Sequence, residues 1–370
     1  MMSAAQLDSS LTCHCEQPLV SVIVPAYNSQ DFLEACLESL RSQTLHNIEI
    51  ICVNDGSTDN TANLLEQAAA QDSRIVVVSQ KNAGLGCARN AGVAAAHGKI
   101  IMLCDADDML KPQACEHVYQ QFEQSDCTAV VFGFEIFPET ALHPSLASQL
   151  HPRDVVITKS NRGIEQLLFE EKARPFAWRI ALRAKFMQEQ HICFHPELTL
   201  GEDQYFCFEV YPRSSKTVLM SEQLYLYRMN NQSMTHTIGS GVDARLVKLS
   251  KHLACEQAII QDWTNACFMG ICDEKILEWC LDLLLLDVSK LPAQNQVSFW
   301  EQWRTEVLSR FSLQEIMSSH KFSSAAKACV TDILSDTHLV SKRHLAMFYL
   351  HKRGMVSSMK RVVWGLTHKA

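Results

Sequence analysis

The sequence predicts an α/β fold: a doubly wound, mostly parallel sheet with helices on both faces, followed by a helical C-terminal region. Three observations point there. Short apolar runs alternate with amphipathic helical patterns between residues 19 and 104, which implies right-handed crossovers and parallel strands. Loops rich in Asn, Asp and Ser follow these strands and therefore open on one shared edge. Beyond Gly239-Ser-Gly-Val, a natural boundary, the pattern becomes helical throughout.

The run from Leu19 to Val24 is a buried strand that Pro25 ends, and Asn28 or Ser29 stands where a helix needs a cap. Leu33, Cys36, Leu37 and Leu40 give that helix its apolar stripe. Ile48 to Val53 is the second strand and runs into Asn54-Asp-Gly-Ser-Thr-Asp. A helix with Leu64, Leu65 and Ala68 inward precedes the third strand, Arg74 to Ser79. Residues 81 to 108 then combine a Gly-rich turn, a helix of small residues, a buried strand and a group of carboxylates. Ala88, Ala91, Gly92 and Ala95 recur at helical spacing with little volume, so this helix can lie close to a sheet, and Gly98 stops it. Ile100 to Cys104 fits a strand covered on both faces. Asp105, Asp107 and Asp108 leave its carboxyl end, where open α/β sheets place their ligands. Clustered there, aspartates suit a hard divalent cation that takes further oxygens from water and a phosphate. A turn in which Asp caps a helix is the alternative that the residues leave open.

Val130 to Phe137 reads as a central strand, and the Pro-, Ser- and His-rich stretch 137–154 as a long loop. Asn161 to Phe169 begins a helix. Glu202-Asp203, at a turn before Tyr205, Phe206 and Phe208, places carboxylates where one can be partly desolvated and act as a base. The same four residues Gly-Glu-Asp-Gln also suit an acidic helix start. Leu224 to His236 reads as a closing strand and mobile loop. Residues 243–370, with stripes such as Leu246, Leu249 and Leu253, form a helical appendage for acceptor selection, oligomer contacts or membrane docking.

Composition bounds the answer. The 370 residues suffice for two domains, and 47% hydrophobic with 20% charged residues describes an ordinary globular chain. No stretch of 18 apolar residues occurs, and residues 1–17 read as a flexible leader without a secretory pattern. A cytoplasmic location is expected, with peripheral attachment at the inner face of the membrane as an option. The fifteen cysteines lie singly in apolar segments and read as small core residues in a reducing compartment. Cys13-His14-Cys15 lacks the second ligand pair a metal site would need. Net charge is −8, yet residues 341–370 carry seven Lys or Arg and no acid, leaving 26 basic against 41 acidic residues, or −15, for the rest. Apolar residues from Leu345 to Trp364 interleave with that basic tail. This favours an anionic membrane surface over nucleic acid as its partner, with a helix packed on its own protein as the alternative.

Four pieces in this order, Val-Pro-Ala-Tyr-Asn at 24–28, Val-Asn-Asp-Gly-Ser-Thr-Asp at 53–59, Asn-Ala-Gly-Leu-Gly-Cys-Ala-Arg-Asn at 82–90 and Asp-Ala-Asp-Asp at 105–108, resemble the family 2 glycosyltransferases of the GT-A fold. The resemblance spans about residues 18–236 and implies a catalytic domain at 18–238, with 239–370 as its helical C-terminal region. It also implies a nucleotide-sugar donor, by default a UDP-sugar, a Mn²⁺ or Mg²⁺ ion on its diphosphate, and transfer with inversion to a surface-glycan or lipid-linked acceptor. By the same resemblance, Pro25, Tyr27 and Asn28 line the nucleoside pocket, Asp55 accepts a hydrogen bond from the base, and Asp59 and Arg89 shape the loop near the nucleotide. Asp105 and Asp107 match the D-x-D signature, Asp107 as chief metal ligand and Asp105 on ribose or a metal-bound water. Asp108 is taken as a helix cap. Trp178 falls in a stretch like the family's tryptophan segment beside the acceptor; stacking on a sugar face is one reading, and a core position, the commoner place for an aromatic in a mixed apolar run, is the other. Asp203 is implied as the base with Glu202 in support, while Arg228, Ser233 and His236 reach the diphosphate. A nucleotidyltransferase would need a basic Gly-rich phosphate loop near the start, which Val-Pro-Ala-Tyr-Asn is not. A sugar-nucleotide binding protein on the same scaffold is the non-enzyme rival.

Overall fold

The computed structural model describes residues 17–138, 150–229, 241–352 and 354. Cys13-His14-Cys15, nearly all of the leader, most of the 137–154 loop, Ser233, His236 and the end of the basic tail lie outside the described residues.

Four strands build the first half of the sheet: β1 (Val20–Ala26), β2 (Ile48–Asp55), β3 (Ile75–Gln80) and β4 (Ile100–Leu103). They pair in parallel in the order β3-β2-β1-β4, with Val22 opposite Ile50 and Met102. Every side chain of β1, β2 and β4 is buried, which is why these strands read as continuous apolar runs rather than alternating ones. Pro25 does not end β1 but sits within it opposite Val53. Helix α1 (Leu33–Arg41) begins later than the Asn28 and Ser29 oxygens would allow. The amides of Phe32 and Leu33 bond instead to the Ser29 carbonyl, and Asn28 is used elsewhere.

Helices α2 (Thr61–Gln71) and α3 (Leu85–Ala95) complete the crossovers. A Cβ on Gly92 of α3 would lie 2.2 Å from Ile23 Cγ2 and 3.2 Å from Val53 Cγ2, so α3 touches β1 and β2 almost backbone to side chain. Gly98 is equally confined, with its amide bonded to Ser21 Oγ and Glu49 Oε1 at 2.8 and 2.9 Å.

Beyond β4 the sheet is mixed. It continues through β8 (Ile180–Arg183), β6 (Ala129–Phe137) and β9 (Lys216–Arg228), and the short strands β5 (Met109–Leu110) and β7 (Val155–Thr158) both pair with β9. Here β8 is antiparallel to β4 and β6, and β9 is parallel to β6. Helix α4 (Ala114–Gln124) packs against β6 and β9. Helix α5 (Asn161–Phe169) is capped by Ser160 Oγ on the Gly163 amide, and α6 (Ala184–Glu189) follows β8.

Helix α7 (Glu202–Arg213) joins this sheet to the C-terminal helices α8 (Val242–Asn265), α9 (Asp273–Val288), α10 (Ala293–Glu306), α11 (Leu313–Ser318) and α12 (Ser324–Leu334). Trp263 Nε1 donates to the Phe208 carbonyl at 3.0 Å and Tyr205 Oη to Asp262, so the C-terminal end of α8 is bonded to α7. The start of the basic tail, 342–352, is helical, buries Phe348 and sets Lys352 Nζ 3.6 Å from Asp282. Among the described residues no helix is long and apolar enough to cross a membrane, and the thirteen described cysteines are all free.

Gly92→Ala separates packing from propensity. Helix propensity alone would make it stabilising by up to about 1 kcal/mol. Overpacking against Ile23 should instead destabilise the chain by roughly 1 to 3 kcal/mol, measured as a lower urea midpoint at unchanged slope; a raised midpoint would mean that α3 is not pressed on the sheet.

Candidate active site

The carboxyl edge of β1, β2 and β4 gathers the loops that the sequence singled out. Asn28, in the left-handed region at φ 49°, accepts from the Thr58 amide at 2.8 Å. Asp59 accepts from the amides of Gln30 and Thr61; burial opposes its charge most, but these and further hydrogen bonds together outweigh it and hold the carboxyl below the usual range. Asp55, almost fully buried, accepts from Gln80 Nε2 and from the amides of Ala83 and Gly84, all at 2.8–2.9 Å. Its carboxylate therefore holds the third loop against the second. Tyr27 is half exposed at the mouth of the cleft, with Pro25 buried below it.

The acidic turn after β4 is clamped from β9. Tyr225 Oη accepts from the Asp105 amide at 3.1 Å and donates to Asp108 Oδ2 at 2.7 Å. The Arg228 amide donates to Asp108 Oδ1 and its Nε to the Asp107 carbonyl, both at 2.7 Å. Asp108 is thus no helix cap: it is buried and ties the turn to β9, where burial and the neighbouring aspartates push its pKa well up. The Arg228 guanidinium lies over Phe32 and Phe137, 5.3 and 5.1 Å from their centroids. Asp107 has no partner side chain among the described residues. Burial, then the charge of Asp105, pushes its pKa up to about 6.

Arg89 connects this turn to the second acidic site. Its side chain, 1% exposed, donates from Nη2 to Asp105 Oδ1 at 2.9 Å and from Nη1 to Asp203 Oδ1 at 2.7 Å. Burial opposes its charge, but the two carboxylates outweigh that and raise its pKa. Rather than shaping the nucleotide loop, Arg89 sits beneath both acidic positions. Beside it Asn90 makes a two-point contact with the backbone of Phe194, donating to its carbonyl at 2.8 Å and accepting from its amide at 2.9 Å, and the Phe194 ring lies 5.1 Å from the Arg89 guanidinium. Asp203 and Glu202 open α7. Burial raises the pKa of Asp203 against the lowering effect of Arg89, and pushes Glu202 up to about 7 with help from the Asp203 charge.

Trp178 does not offer a face to a sugar. It is 2% exposed and stacked between protein rings, 4.1 Å from Tyr225, 4.8 Å from Phe176 and 5.6 Å from Tyr227, with Phe134 edge-on at 5.1 Å. The members of the stack that reach solvent are Phe176 and Tyr227. Tyr225 and Asn90 are the functional supports that sequence reasoning missed. Asn90 ended a recognised motif without an assigned role, whereas Tyr225 is one aromatic in an apolar strand and carries no local signal.

Among the described residues no three His, Cys, Asp or Glu side chains form a metal cage. An unpartnered, partly buried Asp107 beside Asp105 nevertheless fits a cation that takes most of its ligands from a diphosphate and water.

Comparison with known proteins gives the family and the fold. The family model "Glycosyl transferase family 2" matches residues 21–185. The "Uncharacterized glycosyltransferase EpsJ" of Bacillus subtilis is 34% identical over 220 residues, covering 59% of this chain and 63% of that protein. Another B. subtilis protein, EpsH, is likewise 34% identical, and the chain spans 63% of its length. The "Glycosyltransferase GlyG" of Streptococcus pneumoniae is 30% identical over 226 residues, 59% of this chain and 73% of that one. Among solved structures, S. aureus TarS superimposes with a TM-score of 0.62 at 17% identity over 90% of this chain and 55% of its own, which shows the GT-A type of fold. The chain belongs to the family 2 glycosyltransferases.

Proposed function

We propose that the chain transfers a hexose or N-acetylhexosamine from a UDP-sugar to a hydroxyl of a glycan or lipid-linked glycan, with inversion at the anomeric carbon. The observation that carries this reading is Arg89, whose one guanidinium binds the first acid of the D-x-D turn and the first carboxylate oxygen of Asp203. A donor-side acid and an acceptor-side acid are thereby held at one place. The UDP-GlcNAc bound to S. aureus TarS in its complex supports a UDP-sugar as donor.

In this reading residues 18–238 form the catalytic unit, and the exposed Tyr27 ring stacks on the base between Pro25 and Asn28. Asp55 and Asp59 keep the walls of that pocket in register through the bonds described above. Asp107, with Asp105 beside it, would hold a Mn²⁺ or Mg²⁺ ion, which neutralises charge gathering on the leaving diphosphate. Arg228 stands at the same turn and supplies a second positive charge to it. Asp203 takes the acceptor proton on the oxygen that Arg89 does not occupy, as the acceptor oxygen bonds to the anomeric carbon from the face opposite the departing diphosphate. Its raised pKa makes it a better proton acceptor than an exposed aspartate. Residues 239–370 then serve the acceptor side and the membrane. Met347 and Leu350 are exposed on the terminal helix beside the exposed cations Lys342 and Arg343, a pairing suited to the inner face of an anionic membrane.

Three outcomes test this reading. Asp107→Ala should abolish Mn²⁺-dependent UDP binding in calorimetry, and undiminished binding would refute the donor assignment. Asp203→Asn should lower kcat by about 10² to 10⁴, or roughly 3 to 5 kcal/mol, with UDP-sugar affinity little changed. Glu202→Gln should do less; the reverse ranking would make Glu202 the base. Finally, the full chain should bind anionic vesicles in a salt-sensitive way, each basic residue near the surface contributing about 1 kcal/mol. A chain ending at residue 340 that binds equally well would end the membrane role.

A further inference from the structure

A cavity away from the D-x-D turn is distinguished by its charge. It measures about 270 Å³ and lies where the segment 168–175 meets α7 and α9, with Lys172, Arg174, Pro175, Gln204 and Trp279 among its lining residues. Arg174 donates from Nε to the Leu168 carbonyl and from Nη1 to Gln204 Oε1 at 2.8 Å. Its Nη2 has no acceptor among the described residues, and no carboxylate pairs with it there. Aromatic rings surround it instead, with Phe169, Phe208 and Trp279 centroids 4.8, 5.2 and 5.7 Å from Cζ. Burial pushes the guanidinium pKa down to about 10, which leaves it charged at neutral pH. Glu170, the acid among the lining residues, is already engaged by both Nη atoms of Arg162 at 2.6 Å. A partly buried cation that no described carboxylate pairs with is costly to keep charged, and a bound anion would relieve it.

We propose that this cavity is an anion subsite of the acceptor: it receives a carboxylate or phosphate carried by the glycan, with Arg174 as the fork and Lys172 as the cation at the rim. The proposal rests on the transferase reading, which places an acceptor beside Asp203. Two segments join the cavity to that acid. Gln204 follows Asp203 on α7, and Pro175 lies two residues before Ala177, whose backbone amide favours the ionised form of Asp203. A planar guanidinium matches the two oxygens of a carboxylate or phosphate. Ligand cavities start at roughly 300 Å³, so this one suits a single acidic unit rather than a whole chain.

The test is calorimetric titration of the full chain, with UDP and Mn²⁺ present in excess to fill the donor site, against glucuronate, glucose 6-phosphate and glucose. At least one acid sugar should bind about tenfold or more tightly than glucose, and the better of the two identifies the anion as carboxylate or phosphate. Lys172→Gln, on the exposed rim, should weaken that binding severalfold, and Arg174→Lys, which removes the fork, about tenfold. Glucose binding as well as both acids, or Lys172→Gln binding the acid sugar as tightly as the parent, would overturn the proposal. Should Arg174→Lys fail to fold, Lys172→Gln decides alone. Absence of UDP binding in a prior titration would count against the transferase reading only, since the acid-sugar comparison does not use the donor site.

Discussion

One buried guanidinium holds an acidic site together. Asp105 and Asp203 stand 16 and 114 residues from Arg89 in the chain, on a strand end and a helix start. Without the cation between them their charges would repel, and removing one partner of a buried pair costs about 3 to 5 kcal/mol. The small residues of α3 follow from the same constraint. Arg89 reaches Asp105 because α3 lies so close to β1 that Gly92 has no room for a methyl group. Asn90, one position on, fixes the Phe194 segment that covers the guanidinium. Helix packing and charge placement are thus one requirement met by Arg89, Asn90 and Gly92 within one turn of α3.

The D-x-D turn depends on a second support, the end of β9. Tyr225 and Arg228 together engage the backbone or side chain of Asp105, Asp107 and Asp108. With the neighbouring peptide groups tied down, Asp107 is left with a carboxylate that no described side chain hydrogen-bonds, the Arg228 charge acting on it only from a distance. Burial and then the charge of Asp105 raise its pKa, a cost that a bound cation would relieve.

Much of this is legible in the chain because it is local. Buried parallel strands announce themselves as apolar runs, and Asn161–Phe169 forms a helix with a Ser cap at its start, as its pattern suggests. The grouping of loops on one edge follows from strand parallelism alone. What is not legible depends on partners far along the sequence. Trp178 leaves a sugar platform open beside the commoner core reading, and only β9, folding back some fifty residues later, brings Tyr225 and Tyr227 to cover it. Asp108 looks like a cap until the same strand supplies the Arg228 amide and Tyr225 hydroxyl. Asn28 has the right chemistry to start α1, but a left-handed backbone and the Thr58 amide claim its oxygen.

The sheet region and the C-terminal helices meet closely at Gly201, the residue before Glu202. It adopts φ +86°, and a Cβ there would fall 2.7 Å from Cys255 Sγ on α8. That thiol contacts the Gly201 carbonyl at 3.4 Å. Catalytic domains of this kind are often imagined as interchangeable heads on variable tails. In this molecule a transplanted tail would have to present a small side chain at the position of Cys255, or the helix start bearing both acids would shift. Recombination between relatives is therefore restricted at a position outside the recognised motifs, and a chimaera can keep every motif residue yet lose the alignment of Asp203 with Arg89.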